Sequence, residues 1–202
     1  KPELKIAHAV TASAAFPPVL SPFKLRVKPE DFDIREAGVD DSFLRDVTLT
    51  DGGVYDNYGL EPIWKRFRTV LVSDGGAALP MQSRIFGDWV TQLRRVVSVI
   101  QSQVHALRSR SIVEQYLMDE RQGAFWSIAT PPSRFDIQPY FEISDEAALA
   151  IAQIPTRLKA MSADQQELLI NFGYVQADNA IRSYYRIGAD RGSALPFPER
   201  SM

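Results

Sequence analysis

The stretch "RDVTLTDGGVYDNYGLEPIWKRFRTVLVSD", residues 45–74, decides the fold class. Residues 45–51 suit a strand, and residues 57–67 open on turn residues and continue as a short helix. "TVLVSD", 69–74, is a compact β-branched run, the pattern of a strand buried on both faces. A helix between two strands in chain order favours a mixed α/β sheet over an all-β arrangement. Asp51, Gly52 and Gly53 stand between the first strand and the helix. Asp-Gly is a common turn pair, so local chemistry alone favours a turn there. The sharper reading is a catalytic carboxylate held at a strand end by a backbone only glycine adopts.

Working outward, residues 3–15 are Ala-rich with apolar spacing and read as a helix. "FPPV", 16–19, ends it, because proline forbids helical continuation. Residues 21–27 alternate weakly as a strand, and 28–42 are polar and loop-like. Downstream, Ile85, Phe86, Trp89, Val90, Leu93, Val96, Val97, Ile100, Val104 and Leu107 recur at steps of three and four. They read as one buried face of a long amphipathic helix reaching about Glu120, with a possible break. Arg84, Arg94, Arg95, Arg108 and Arg110 lie mostly off that stripe. They read as a solvated face, the alternative being a helix near anionic lipid headgroups.

Residues 123–130 suit a strand ended by Pro131 and Pro132. Ser144 with first-turn acids predicts a helix up to Pro155. Ser162 with Gln165 predicts a capped last helix over about 163–186. Gly173 inside it reads as a point of close packing, and 187–202 as a loop or frayed tail. Nothing suggests a linker, so 1–202 is expected to be one domain.

Composition narrows the function classes. The 202 residues carry 23 Lys and Arg against 25 Asp and Glu, a net charge of −2. A domain that binds nucleic acid through its whole field is usually basic, which argues against a nucleic-acid partner. With no cysteine there is no disulfide scaffold, thiolate metal site or cysteine nucleophile. No run approaches the roughly 18 apolar residues of a spanning helix. Localisation is therefore unassigned, with cytoplasmic or membrane-associated placement favoured and export left open. Phosphate loops, dinucleotide fingerprints and zincin motifs are all missing, so no cofactor and no metal is expected. His8 and His105, the two histidines, fall on helices and read as packed or surface residues. Ser21 to Lys24 matches S-x-x-K in letters, but the motif works at a helix start and this stretch is extended. Asp74-Gly75-Gly76 repeats the D-G-G pattern after the next strand.

Three motifs in order resolve the reading. "ASAAFPPVLSP" (12–22), "LTDGGVYDNYGLEP" (49–62) and "IPTRLKAMSADQQELLINFGYVQADNAI" (154–181) together resemble the C-terminal part of the catalytic domain of the patatin-like phospholipase family. The similar family features are an A-S-x-A-x-P segment, a D-G-G/A motif followed by Asn and Gly, and a Leu-rich helix with Asn-x-Gly-Tyr. The resemblance implies a partial three-layer α/β/α fold with an incomplete central sheet and a long helical C-terminal region. It implies a lipid acyl hydrolase working through a Ser-Asp dyad on phospholipid or other acyl-ester substrates. Asp51 would be the base, and Gly52 and Gly53 would keep side chains out of its way. The family's glycine-rich oxyanion loop and G-x-S-x-G serine precede the matched part, and this chain contains neither. The serine is accordingly expected upstream of Lys1, and the 202 residues alone are expected to be inactive. Peripheral membrane contact is a further expectation, with "FPPVLSPF" (16–23) either lining an acyl pocket or forming ordinary core. The alternatives are a non-catalytic lipid-binding or protein-interaction module on the same scaffold, and a D-G-G turn holding a metal or phosphate with Asp56 as partner.

Overall fold

Strand pairing in the first part of the chain follows the alternation read from the sequence. The computed structural model describes residues 4–18, 20–32, 40–76, 84, 86–139, 141–157, 159–186 and 194–200. Contacts divide the chain into two units, residues 1–62 and 63–202. The architecture is mixed helix and strand, with one two-stranded sheet in each unit among the described residues.

In the first unit, α1 (Ile6–Ser13) precedes the proline segment. Strand β1 (Phe23–Arg26) pairs antiparallel with β2 (Asp46–Leu49), setting Phe23 opposite Leu49 and Arg26 opposite Asp46. A helical turn, α2 (Asp41–Arg45), precedes β2 and was hidden in the polar stretch. Its signal is Asp40, whose carboxylate accepts from Ser42 N at 2.8 Å and caps it. After β2 come α3 (Gly53–Asp56) and α4 (Glu61–Trp64), the latter straddling the unit boundary.

The second unit is built on a β-α-β arrangement. Strand β3 (Thr69–Asp74), helix α5 (Trp89–Leu117) and strand β4 (Gln122–Ser127) follow one another, and the strands pair parallel from Thr69–Gln122 to Asp74–Ser127. Asp88 starts α5 by accepting from Thr91 N at 2.9 Å, and Asp119 in a left-handed conformation (φ 54°) follows its end. The helix runs unbroken for 29 residues. Gly123 is obligatory, with φ 146° and a carbonyl, that of Val70, 1.8 Å from where a Cβ would sit. The Tyr116 hydroxyl donates to the same Val70 carbonyl at 2.7 Å and ties α5 to the sheet.

Helices α6 (Asp145–Ala152) and α7 (Ala163–Ala180) complete the unit, α7 continuing into a wider π-type turn, Ile181–Tyr185. Both predicted serine caps form: Ser144 accepts from Ala147 N at 3.1 Å and Ser162 from Gln165 N at 3.3 Å. Ala148, Ile151 and Phe172 form one core cluster, and Ala124, Phe135 and Ala180 another. Burying a side chain such as Phe172 stabilises by about 1.5–3 kcal/mol. Gln176, also buried, donates to Thr130 O at 2.7 Å and so fastens α7 to the turn after β4.

Three expectations are corrected. Strand β3 is buried on one face only: Val70, Val72 and Asp74 are buried while Leu71 is 45% exposed, because the packed elements cover that one side. The apolar stripe of α5 is exposed rather than buried; the buried residue of the helix is Ile112, which is not part of the stripe, and Ile85 lies outside the described residues. Gly173 faces open space, so it mediates no close packing. Of the loop or frayed end read for 187–202, the loop holds over 194–200, while 187–193 and 201–202 lie outside the described residues. Fully buried Asn171 donates to Phe197 O at 2.8 Å and accepts from Phe197 N at 2.9 Å, and Arg200 pairs with Glu167 and Asp164. Asn171 thus offers the tail the hydrogen bonds of a neighbouring strand. The Asn of the Asn-x-Gly-Tyr pattern is therefore a structural clamp here.

Asn171→Ala should lower unfolding stability by about 1–3 kcal/mol, since it orphans buried backbone groups of the tail; urea denaturation measures this. Burial pushes the Tyr116 phenol up to about 12, with the Arg121 charge opposing. A raised folded value favours the native state below the ordinary tyrosine value near 10, and this stabilisation is lost as pH rises through 12. Tyrosinate absorbance should thus show one of the seven tyrosines titrating late, and Tyr116→Phe should abolish that late step.

Candidate functional site

Asp51 follows β2 directly, and its backbone is held from the proline segment. The carbonyl of Ala15, a buried residue, accepts from Asp51 N at 2.9 Å and from the Thr50 hydroxyl at 3.2 Å. Ser21 in turn donates to Thr50 Oγ1 at 3.1 Å. Residues 12–22 and 49–62, which the sequence singles out separately, are therefore joined by three hydrogen bonds. One carbonyl sets where the Asp51 carboxylate emerges.

The side chain is oriented just as locally. Asp51 Oδ1 accepts from Gly53 N at 2.7 Å, while Oδ2 accepts no hydrogen bond from the described residues. The residue is partly exposed, and Oδ2 keeps an acceptor site to spare.

The two glycines differ. Gly52 lies at φ −60°, ψ −29°, ordinary right-handed helical backbone, with nothing within 4 Å of a Cβ. The expectation of glycine-only backbone conformation at this turn is corrected: the turn is the start of α3. Gly53 is needed for space instead. A Cβ there would lie 2.8 Å from Asp51 Oδ1 and 2.6 Å from Asn57 Oδ1. Removing side chains beside the carboxylate is thus the job of Gly53, and the Asn of "DGGVYDN" supplies the other wall.

Asp56 has a helix-start contact, accepting from Glu61 N at 2.7 Å. Among the described residues, no group of three His, Asp or Glu side chains is placed to hold a metal ion. Lys24 lies on β1 and Ser21 precedes it, its hydroxyl donating to Thr50. Phe16 and Leu20 are 38% and 46% exposed, so the 16–23 segment is not simple core; Val19 lies outside the described residues.

The second D-G-G has a different fate. Asp74 makes the same local contact, Oδ1 accepting from Gly76 N at 2.9 Å. It is buried, and its Oδ2 lies 3.0 Å from His105 Nε2 on α5. The sequence reading takes His105 as a packed or surface histidine and misses its partner, because the two are 31 residues apart. Spacing gives no hint of such a pair; only the β3-α5 packing brings them together. His8 is exposed, its ring 6.5 Å from that of Phe23. The half-open cleft of about 370 Å³ beside Ile154, Pro155, Arg157, Lys159 and Met161 lies in the second unit and contains none of the predicted residues.

Compared with family models, curated proteins and solved structures, the chain matches none. The geometry around Asp51 makes a direct distinction between the two glycines: Gly52→Ala should be tolerated, whereas Gly53→Ala should displace the Asp51 carboxylate. NMR chemical shifts of the Asp51 side chain would move in the second variant and stay put in the first.

Proposed function

We propose that residues 1–202 are part of a patatin-like lipid acyl hydrolase in which Asp51 is the base of a Ser-Asp dyad. The observation that carries the reading is the clamp of Asp51 N and Thr50 Oγ1 on the Ala15 carbonyl, which leaves Asp51 Oδ2 unengaged. The local turn uses only one oxygen of the Asp51 carboxylate. A general base requires an unengaged one. Asp74 is the internal comparison: the same dipeptide step is consumed by His105.

In the proposed reaction, Asp51 Oδ2 takes the hydroxyl proton as a serine attacks the ester carbonyl. The tetrahedral intermediate collapses to an acyl-serine, and Asp51 returns the proton to the departing alcohol. Water then attacks the acyl-serine, giving its proton to Asp51, and the released serine oxygen recovers it. Both the serine and the oxyanion donors belong to a segment outside these residues, the G-x-S-x-G part of a three-layer α/β/α domain. Exposed Phe16 and Leu20 lie on the segment that clamps Asp51, where an acyl chain would be received. The substrates are phospholipids or other acyl esters.

The exposed stripe of α5 favours a second reading, a non-catalytic interaction module on the same scaffold. Both are tested by joining the chain to the coding sequence that precedes it in its gene and assaying hydrolysis of a p-nitrophenyl ester. The dyad reading expects activity, with Asp51→Asn lowering kcat by about 10²–10⁴-fold at unchanged folding. Undiminished turnover by the Asn variant would sink the assignment. Absence of any esterase activity in the joined protein would favour the module.

A further inference from the structure

Helix α5 meets the sheet with its polar side. At 3.6 residues per turn, Thr91, Ser98, Ser102, His105, Ile112 and Tyr116 share one face. His105 and Tyr116 on that face make the contacts to Asp74 and Val70, and Ile112 is buried. On the opposite face, Trp89, Leu93, Val96, Ile100, Val104 and Leu107 are between 42% and 76% exposed. Phe86, just before the helix, is 75% exposed. The stripe from 89 to 107 is about 27 Å long at 1.5 Å per residue.

Charge identifies what covers it. Between Asp88 and Glu114 the sequence has no acidic residue, while Arg94, Arg95, Arg108 and Arg110 all fall there. Val90, Leu93, Val97, Ile100, Val104 and Leu107 follow the spacing of a two-helix seam, which raises the possibility of a second copy. The positions flanking such a seam are Trp89, Val96, Gln103 and Arg110 on one side and Arg94, Gln101 and Arg108 on the other, none of them acidic. Pairing with an identical helix would thus offer these arginines no carboxylate. The same flanks complement an anionic surface. No described helix is long and apolar enough to cross a membrane, so contact would be in the plane of the interface.

We propose that α5 is a membrane-docking helix, inserting its Trp89–Leu107 stripe into an anionic bilayer surface with Arg94 and Arg110 among the phosphates. Tryptophan at one end suits the headgroup boundary, and the arginine stems lie along the apolar edge while their guanidinium groups reach outward. The proposal does not depend on Asp51 being catalytic.

The test is flotation of the 202-residue chain with two vesicle types. One is pure phosphatidylcholine; the other has roughly one part phosphatidylglycerol to three of phosphatidylcholine, enough to give a negative surface. Binding is expected to the anionic vesicles only and to weaken as salt is raised. Arg94→Gln with Arg110→Gln should weaken it roughly 25-fold, about fivefold per cation removed. Ile100→Glu lies at an exposed position, so the fold should persist by circular dichroism while binding is lost. The proposal is overturned by no binding, by equal binding to both vesicle types, or by binding that survives Ile100→Glu. It is equally overturned if sedimentation shows a dimer that Ile100→Glu dissociates, which would assign the stripe to a second copy.

Discussion

The carbonyl of Ala15 is the constraint on which the first unit depends. It accepts from both the backbone of Asp51 and the side chain of Thr50, so the proline segment and the end of β2 cannot shift independently. Ser21 adds a third link through Thr50. A buried carbonyl with two donors is costly to pull apart, because the freed acceptor would be left without a partner away from water. The position of the Asp51 carboxylate is inherited from this arrangement. Gly53 then keeps the volume beside it empty.

In the second unit an analogous role falls to the carbonyl of Val70. Gly123 passes so close to it that any side chain would collide, and Tyr116 donates to it from α5. That contact and the Asp74–His105 pair choose which side of α5 faces the sheet. Once that side is chosen, the apolar stripe must point away. The resulting surface joins a large exposed apolar area to a run of arginines, a combination that is unfavourable in water alone and favourable at an anionic interface.

The two D-G-G sequences make the relation between local and tertiary information concrete. Their aspartates make the same contact with the amide two residues on, at 2.7 and 2.9 Å. One is partly exposed with an unengaged oxygen, and the other is buried against a histidine. No local pattern separates them. What separated them in the sequence was company: Asp51 is accompanied by the A-S-x-A-x-P segment and the Asn-x-Gly-Tyr helix. In the structure the first of these touches Asp51, while the Asn of the second holds the tail.

Much of the local structure was legible because local chemistry decides it. Helix starts at Ser144 and Ser162 are written by side chains that reach amides three residues away. Strands β1 to β4 fall within runs read as extended, and Asp51 with Gly53 was named from the three motifs taken together. The sequence by itself thus determined the longer helices, the strands, their order and the candidate carboxylate, but not the short helices α2 and α3. Only the tertiary structure decided which face of α5 is covered, that Asp74 is consumed by His105, that Asn171 clamps residues 197 and 200, and that Gly53 rather than Gly52 is sterically required. The physical reason is range. Periodicity says which residues share a face, but the choice between faces is made by hydrogen bonds between groups dozens of residues apart.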